Sequence, residues 1–313
     1  MEKAIIILAI VTLVSIIYAT TMTVHTSSGD VDFEISEITS ITFESDGGGT
    51  GEFEWCTVPA GDYTYGDPPV TQNINYDFQI MKYEVTNQQY VDYLQEAYSL
   101  GDVWIEGGDV VGYYEGDDNY PGGVYDFYDL GTPLSSYNYA RISWDGDSFI
   151  INVPSGYSPG DFDNHPVVEV SWFGSWAFAE HYGLRLPTEE EWEKAARGNT
   201  GYVYPWGNSL DGSRANYWDS GDSWDNGTTP VGMYNGQTIQ GLTTTDSPSP
   251  YGAYDLAGNV WEWTDSWLSD SSSDRVRRGG SWGSSINALE SWNRQSDLPI
   301  LTSHTIGFRC VVQ

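Results

Sequence analysis

Three stretches, and no others, combine helical spacing with a start and a stop signal. Thr86-Asn87-Gln88-Gln89 is a capping box, and Tyr90, Val91, Leu94 and Ala97 follow it on one face. Ser171 is placed to cap a helix through Trp172, Trp176, Ala179 and Glu180 that stops at Gly183. Pro187-Thr188-Glu189-Glu190-Glu191 is a second capping box, with Trp192, Ala195 and Ala196 facing inward and Gly198 as the stop. Everything else must be short strands and long loops. With 35 Gly beside 14 Trp and 23 Tyr, the chain is an irregular, loop-rich α+β protein rather than a helical bundle.

Charge narrows the partners. The net charge is −33, from 12 Lys+Arg against 45 Asp+Glu. Nucleic acid and anionic membrane surfaces need clustered cations for counterion release, so both are excluded as partners. Divalent cations and cationic or neutral ligands such as glycans suit this charge. A 15% aromatic content excludes a disordered acidic tail. Two cysteines cannot build a disulfide framework or a four-cysteine zinc site.

Lys3, an apolar run from Ala4 to Ile17 and then Tyr18-Ala19-Thr20 read as an export signal over residues 1–19, cleaved near Ala19; a retained anchor is the alternative. No second apolar run follows, so no membrane insertion is expected after cleavage, and the protein is expected to be secreted, periplasmic or on the cell surface. Residues 20–46 read as a short β segment, a hairpin around Ser28-Gly29-Asp30, and 47–51 as a Gly-rich linker. The main domain is assigned to 52–313. Within it, residues 98–164 are rich in Gly, Asp and Tyr and read as an acidic insert outside the core, with one clear hairpin from Ile142 to Val153 turning at Asp145-Gly146-Asp147.

Eight motifs occur in order: Gly61-Asp62-Tyr63-Thr64-Tyr65-Gly66, Met81-Lys82-Tyr83-Glu84-Val85-Thr86-Asn87, His165 to Trp172 (HPVVEVSW), Arg185 to Glu193 (RLPTEEEWE), Tyr204-Pro205-Trp206-Gly207-Asn208, Gly258-Asn259-Val260-Trp261-Glu262-Trp263, Arg278-Gly279-Gly280-Ser281-Trp282 and Gly307-Phe308-Arg309-Cys310. The series resembles the sulfatase-modifying-factor family, whose namesake is the formylglycine-generating enzyme. The resemblance implies a compact variant of the C-type lectin fold and leaves the function open, since members include a copper-dependent oxidase, iron enzymes, maturation factors and ligand-binding surface proteins.

The enzyme holds Cu(I) with two cysteines after its Gly-Gly-Ser motif, because thiolates are the soft ligands that suit this ion. The matching positions fall on Ser284 and near Leu289, and no cysteine lies between Thr57 and Arg309. No copper is therefore expected, although Ser281 matches a substrate-site serine. The four histidines, His25, His165, His181 and His304, include no His-x-x-x-His pair for the iron chemistry. By the same resemblance Ca²⁺ would be held by the Asp255 and Glu262 side chains with the Gly258 and Val260 carbonyls, an all-oxygen set that suits a hard cation. A second calcium would map to Asn216 and the Tyr217 carbonyl, with Asp222, Asp225 or Asn226 as the acid; turn capping is the plainer role for these residues. Ser281, Trp282, Ser284, Asn287, Trp292, Asn293 and Arg294 are the expected binding surface for a protein or glycan, aromatic anchors among adaptable polar groups, with core packing as the competing role of both tryptophans. Cys56 and Cys310 fall in the first and last strands, where a disulfide or two buried thiols are the alternatives. The expectation is a calcium-stabilised binder without catalysis. An oxidase or maturation factor acting on an exported protein is the alternative.

Overall fold

Thr86, Ser171 and Thr188 each open a helix. In the computed structural model, which describes residues 21–26, 29–34, 53–131, 139–222, 224 and 227–313, these are α1 (Asn87–Leu100), α2 (Trp172–His181) and α3 (Glu189–Arg197). The Thr86 and Thr188 hydroxyls accept from the Gln89 and Glu191 amides, and both side chains reach back to the cap amide. Each reciprocal pair satisfies two amides that a helix start otherwise leaves open. Gly101 ends α1 in the left-handed region at φ 82°, which costs a glycine nothing.

The chain divides into two units, Met1–Thr50 and Gly51–Gln313. In the first, Thr21–Thr26 and Gly29–Glu34 pair antiparallel, with Thr26 opposite Gly29. The second carries the three helices and several small sheets, a loop-rich α+β architecture. A four-stranded sheet runs in the order Arg294–Asp297, Arg275–Arg278, Trp261–Trp267, Ile306–Gly307, its last pair parallel. A three-stranded sheet places Phe78–Met81 between Trp55–Val58 and Val311–Val312.

That central strand decides the cysteine question. Cys56 stands opposite Ile80 on one side, while Cys310 lies on the other, its carbonyl accepting from the Met81 amide at 2.9 Å. Two strand spacings, about 9–10 Å, exceed the Cα separation a disulfide spans. Both thiols are free and buried, and the strands Trp55–Val58 and Val311–Val312 flank Phe78–Met81 without pairing with each other. Burial raises both thiols above their ordinary range, which makes them poor nucleophiles.

The described residues of 98–164, namely 98–131 and 139–164, are more regular and more deeply buried than the sequence implied. Val103–Glu106, Asp109–Tyr114 and Gly123–Tyr128 form a meander, and Ile142–Trp144 pairs with Phe149–Ile151 across the expected Asp145 turn. Val110, Tyr114, Phe127 and Tyr128 join the core beside α1 and α2. Gly174 on α2 lies directly over the Phe127 carbonyl, where a Cβ would not fit. The segment is a structural part of the domain.

Candidate functional site

The buried face of α3 meets the strand Trp261–Trp267 through one carboxylate. Glu262 accepts from Trp192 Nε1 at 2.8 Å and from Arg309 Nε at 2.7 Å on Oε2, and from Arg309 Nη2 at 2.8 Å on Oε1. Arg309 also donates to the Met81, Lys82 and Tyr254 carbonyls. Two further carboxylates are buried nearby. Glu84 accepts from Asn259 Nδ2 at 2.8 Å and from the Val260 amide, and Asp255 accepts from the Gly232 amide. Burial, then the Asp255 and Glu262 charges, raises Glu84 well above the carboxylate range, and burial pushes Asp255 up to about 6. Arg309 is the guanidinium that faces all three.

The turn connecting these groups is tight. Asp255, Gly258 and Asn259 have φ of 59°, 91° and 59°. A Cβ at Gly258 would run into the Asn216 carbonyl, and the Asn259 amide donates to that same oxygen at 2.8 Å. Asn216 and Tyr217 are thereby brought against the Asp255–Glu262 segment; Asp225 lies outside the described residues. As a calcium set these residues fit in part. Asp255 is a buried carboxylate facing surplus negative charge, and among the described residues no hydrogen bond ends on the Gly258 or Val260 carbonyl. Glu262 is differently occupied, its two oxygens closed over by Arg309 and Trp192. No three His, Cys, Asp or Glu side chains among the described residues are placed to hold one metal, so such a site would rest largely on backbone oxygens.

Beyond Gly279-Gly280 the chain forms the loop that carries Ser281. Its hydroxyl lies 3.0 Å from Ser284 Oγ, which also accepts from the Ser281 amide at 3.0 Å. Leu289, on the short 3₁₀ turn Ile286–Leu289, is buried with Tyr204, Ala215 and Ala257. Trp282 is half-buried; its amide donates to the Asn259 carbonyl and its Nε1 to the His304 carbonyl at 3.1 Å. Its ring lies 5.2 Å from that of Tyr139 and 5.6 Å from His304. A cavity of about 130 Å³ opens beside it, lined by Asn216, Tyr217, Asp219, Asp222 and Trp218, the last 65% exposed.

The expected binding surface is thus divided. Ser281, Trp282 and Ser284 gather with Asn216 and Tyr217. Trp292 and Arg294 turn to α3 instead, Trp292 under the Arg197 guanidinium at 5.2 Å and Arg294 paired with Glu189 at 2.7 Å. Asn293 donates to the exposed Asn287's carbonyl, linking the two parts. Of the histidines, His165 is buried and pushed down to about 3 by burial, and His181 lies 3.1 Å from Glu96.

Three residues at this face were given no role from sequence, Tyr139, Trp218 and Glu169, and a fourth, His304, was weighed only as an iron ligand. Trp218 adjoins the Asn216-Tyr217 pair and was open to notice by proximity. Glu169 sits within the His165–Trp172 motif but has φ 61°, a backbone state that its residue type does not signal. Its carboxylate lies 4.0 Å from His304 Nδ1. Burial, then Asp129, pushes Glu169 up to about 7, while burial lowers His304.

The sulfatase-modifying factor enzyme 1-like domain matches residues 50–313. The inactive Cα-formylglycine-generating enzyme 2 of Mus musculus is 43% identical over 155 residues, which are 46% of this chain and 48% of the relative. The chain therefore spans about half the length of that relative. The formylglycine-generating enzyme of Thermomonospora curvata is 34% identical over 221 residues, 58% of this chain and 67% of that enzyme. Among solved structures, PvdO from Pseudomonas aeruginosa superposes with a TM-score of 0.55 at 20% identity, covering 82% of this chain and 93% of PvdO, a likeness of fold.

Proposed function

The chain belongs to the sulfatase-modifying factor family, and on that footing we propose that it is an exported, calcium-stabilised member that works by binding a protein or glycan and not by catalysis. One observation carries the reading. By the resemblance, the enzyme's two thiolate positions fall on Ser284, whose hydroxyl is engaged with Ser281, and near Leu289, whose side chain is packed in the core; no cysteine lies between Thr57 and Arg309. A hydroxyl and an alkyl group hold Cu(I) poorly. The mouse relative's name, which calls it inactive, supports the same conclusion. Export rests on the character of residues 1–19; no helix among the described residues is long and apolar enough to cross a membrane.

Ligand recognition would centre on Trp282, Trp218 and the polar groups of the adjoining cavity, with the exposed Asn287 on the same loop as Trp282. The test is a Cu(I) titration with a competing chelator, run beside turnover of a cysteine-containing sulfatase peptide. Neither binding nor formylglycine is expected, and stoichiometric copper with product would overturn the reading.

Calcium would be held by Asp255 with the Gly258 and Val260 carbonyls. Bound there, the ion would supply positive charge to a buried pocket that has more carboxylates than cations. Metal analysis should find one or two equivalents of calcium. EDTA should then lower the melting temperature by roughly 5–10 °C, the equivalent of about 2.7 kcal/mol when free ion stands at a hundredfold its Kd. Asp255→Asn should remove most of that response. Melting indifferent to EDTA in metal-free buffer would dismiss the calcium.

A further inference from the structure

Five non-glycine residues have positive φ among the described ones: Glu169, Asp219, Gln240, Asp255 and Asn259. Asp and Asn enter this region readily. Gln240 occupies the two-residue turn between Thr238–Ile239 and Leu242–Thr243, where hairpin twist calls for it. Glu169 has neither reason. It is held there by neighbours on both sides, its amide donating to the Ser303 carbonyl at 2.9 Å and its carbonyl accepting from the Asp129 amide at 3.0 Å. Strain of this kind persists only where surrounding structure over-determines it.

What the conformation achieves is placement. The Glu169 carboxylate faces His304 from 4.0 Å, and the His304 ring stacks on Tyr139 at 5.0 Å. The carbonyl of the same histidine accepts from Trp282 Nε1. From Glu169 to the aromatic face is therefore two contacts. The charged groups that face the carboxylate are Asp129 on the neighbouring segment, whose field raises it, and His304 at 4.0 Å; Asp109 on the adjacent strand lies in the field of Asp129, and Arg141 acts on Tyr128, as Glu169 and Asp129 also do.

We propose that Glu169 is the positioning residue of the Trp282 face and acts as its proton-operated lock. Ionised, the carboxylate draws the His304 Nδ1–H into a charge-assisted hydrogen bond and fixes Trp282 against Tyr139. Protonated, it leaves the 4.0 Å gap open and the face looser. Burial and Asp129 place the transition near neutrality, at about 7. Glu169 ionisation opposes folding, so its contribution to stability is full below the ordinary glutamate range and is lost as pH rises through about 7. The lock is a property of the fold; its effect on recognition rests on the binding reading above.

Tryptophan fluorescence of the wild type, less that of Trp282→Phe, should titrate between about pH 5.5 and 8.5 with a midpoint near 7. Glu169→Gln should abolish the transition while keeping the near-ultraviolet circular dichroism of the wild type. Asp129→Asn removes the charge that raises Glu169 and should move the midpoint to lower pH, which keeps the test decisive if the glutamine variant does not fold. A flat wild-type curve, a transition surviving in Glu169→Gln or an unmoved midpoint in Asp129→Asn would each overturn the lock. No ligand enters the measurement, so its failure leaves the binding reading to the copper experiment.

Discussion

Replacing Arg309 with methionine is expected to lower the melting temperature by roughly 6–20 °C, the consequence of about 3–5 kcal/mol lost when one partner of a buried ion pair is removed. Arg309 is fully buried, and its fork grips both oxygens of a fully buried Glu262 while the same guanidinium faces Glu84 and Asp255. Methionine has comparable length and no charge. Three carboxylates would then share a buried site without their guanidinium, and three carbonyls would lose their donor. Arg309→Lys keeps the charge but not the planar two-point grip, so it should fall between. Adding Glu262→Gln to Arg309→Met should recover part of the loss, because much of it is stranded charge rather than a lost attraction. The deficit should also be larger in EDTA than in calcium, if an ion shares the work of neutralising Asp255. A melting point within 2 °C of wild type would mean that these carboxylates are already protonated and that the pair contributes little.

This network shows how far residues alone could be read. The capping boxes at Thr86 and Thr188 were plain because a cap is local: hydroxyl, amide and carboxamide or carboxylate lie within four residues. The motif series gave the family because it fixes residue identities in order. Glu262 came through in the right place but with a different partner. Position suggested an ion, and only the fold brings in Arg309, 47 residues later, and Trp192 on another element. The division of the Ser281–Arg294 surface has the same cause: Arg197 and Glu189 on α3 claim Trp292 and Arg294, and no spacing within the loop announces them. Cys56 lies in the strand Trp55–Val58 as expected, whereas Cys310 precedes Val311–Val312 by one residue, and the strand Phe78–Met81 lies between them. Glu169 was hidden most completely, since a backbone angle forced from both sides leaves no mark on residue type.

Residues 98–164 misled for a different reason, and one substitution tests the correction. Phe127→Ala should cost about 3–5 kcal/mol, the usual penalty for emptying a large aromatic site, and again roughly 6–20 °C in melting temperature. A decoration would not respond so strongly. Phe127 is 2% exposed and its ring covers Gly112, where a Cβ would overlap it. Its carbonyl accepts from the Ser171 amide at 3.1 Å, next to the point where α2 begins. Gly, Asp and Tyr dominate the composition here, so the segment looks like loop. The glycines at 112 and 174 are instead what allows a sheet and a helix to close over one phenylalanine. Tyr113, on the same strand as Gly112 and 59% exposed, is the internal control: its alanine variant should shift stability by no more than about 0.5 kcal/mol. Equal effects at the two positions would return the segment to the status of an appendage. A wide gap between them would establish that the acidic insert, whatever it contributes to recognition, is first a wall of the core against which α1 and α2 are packed.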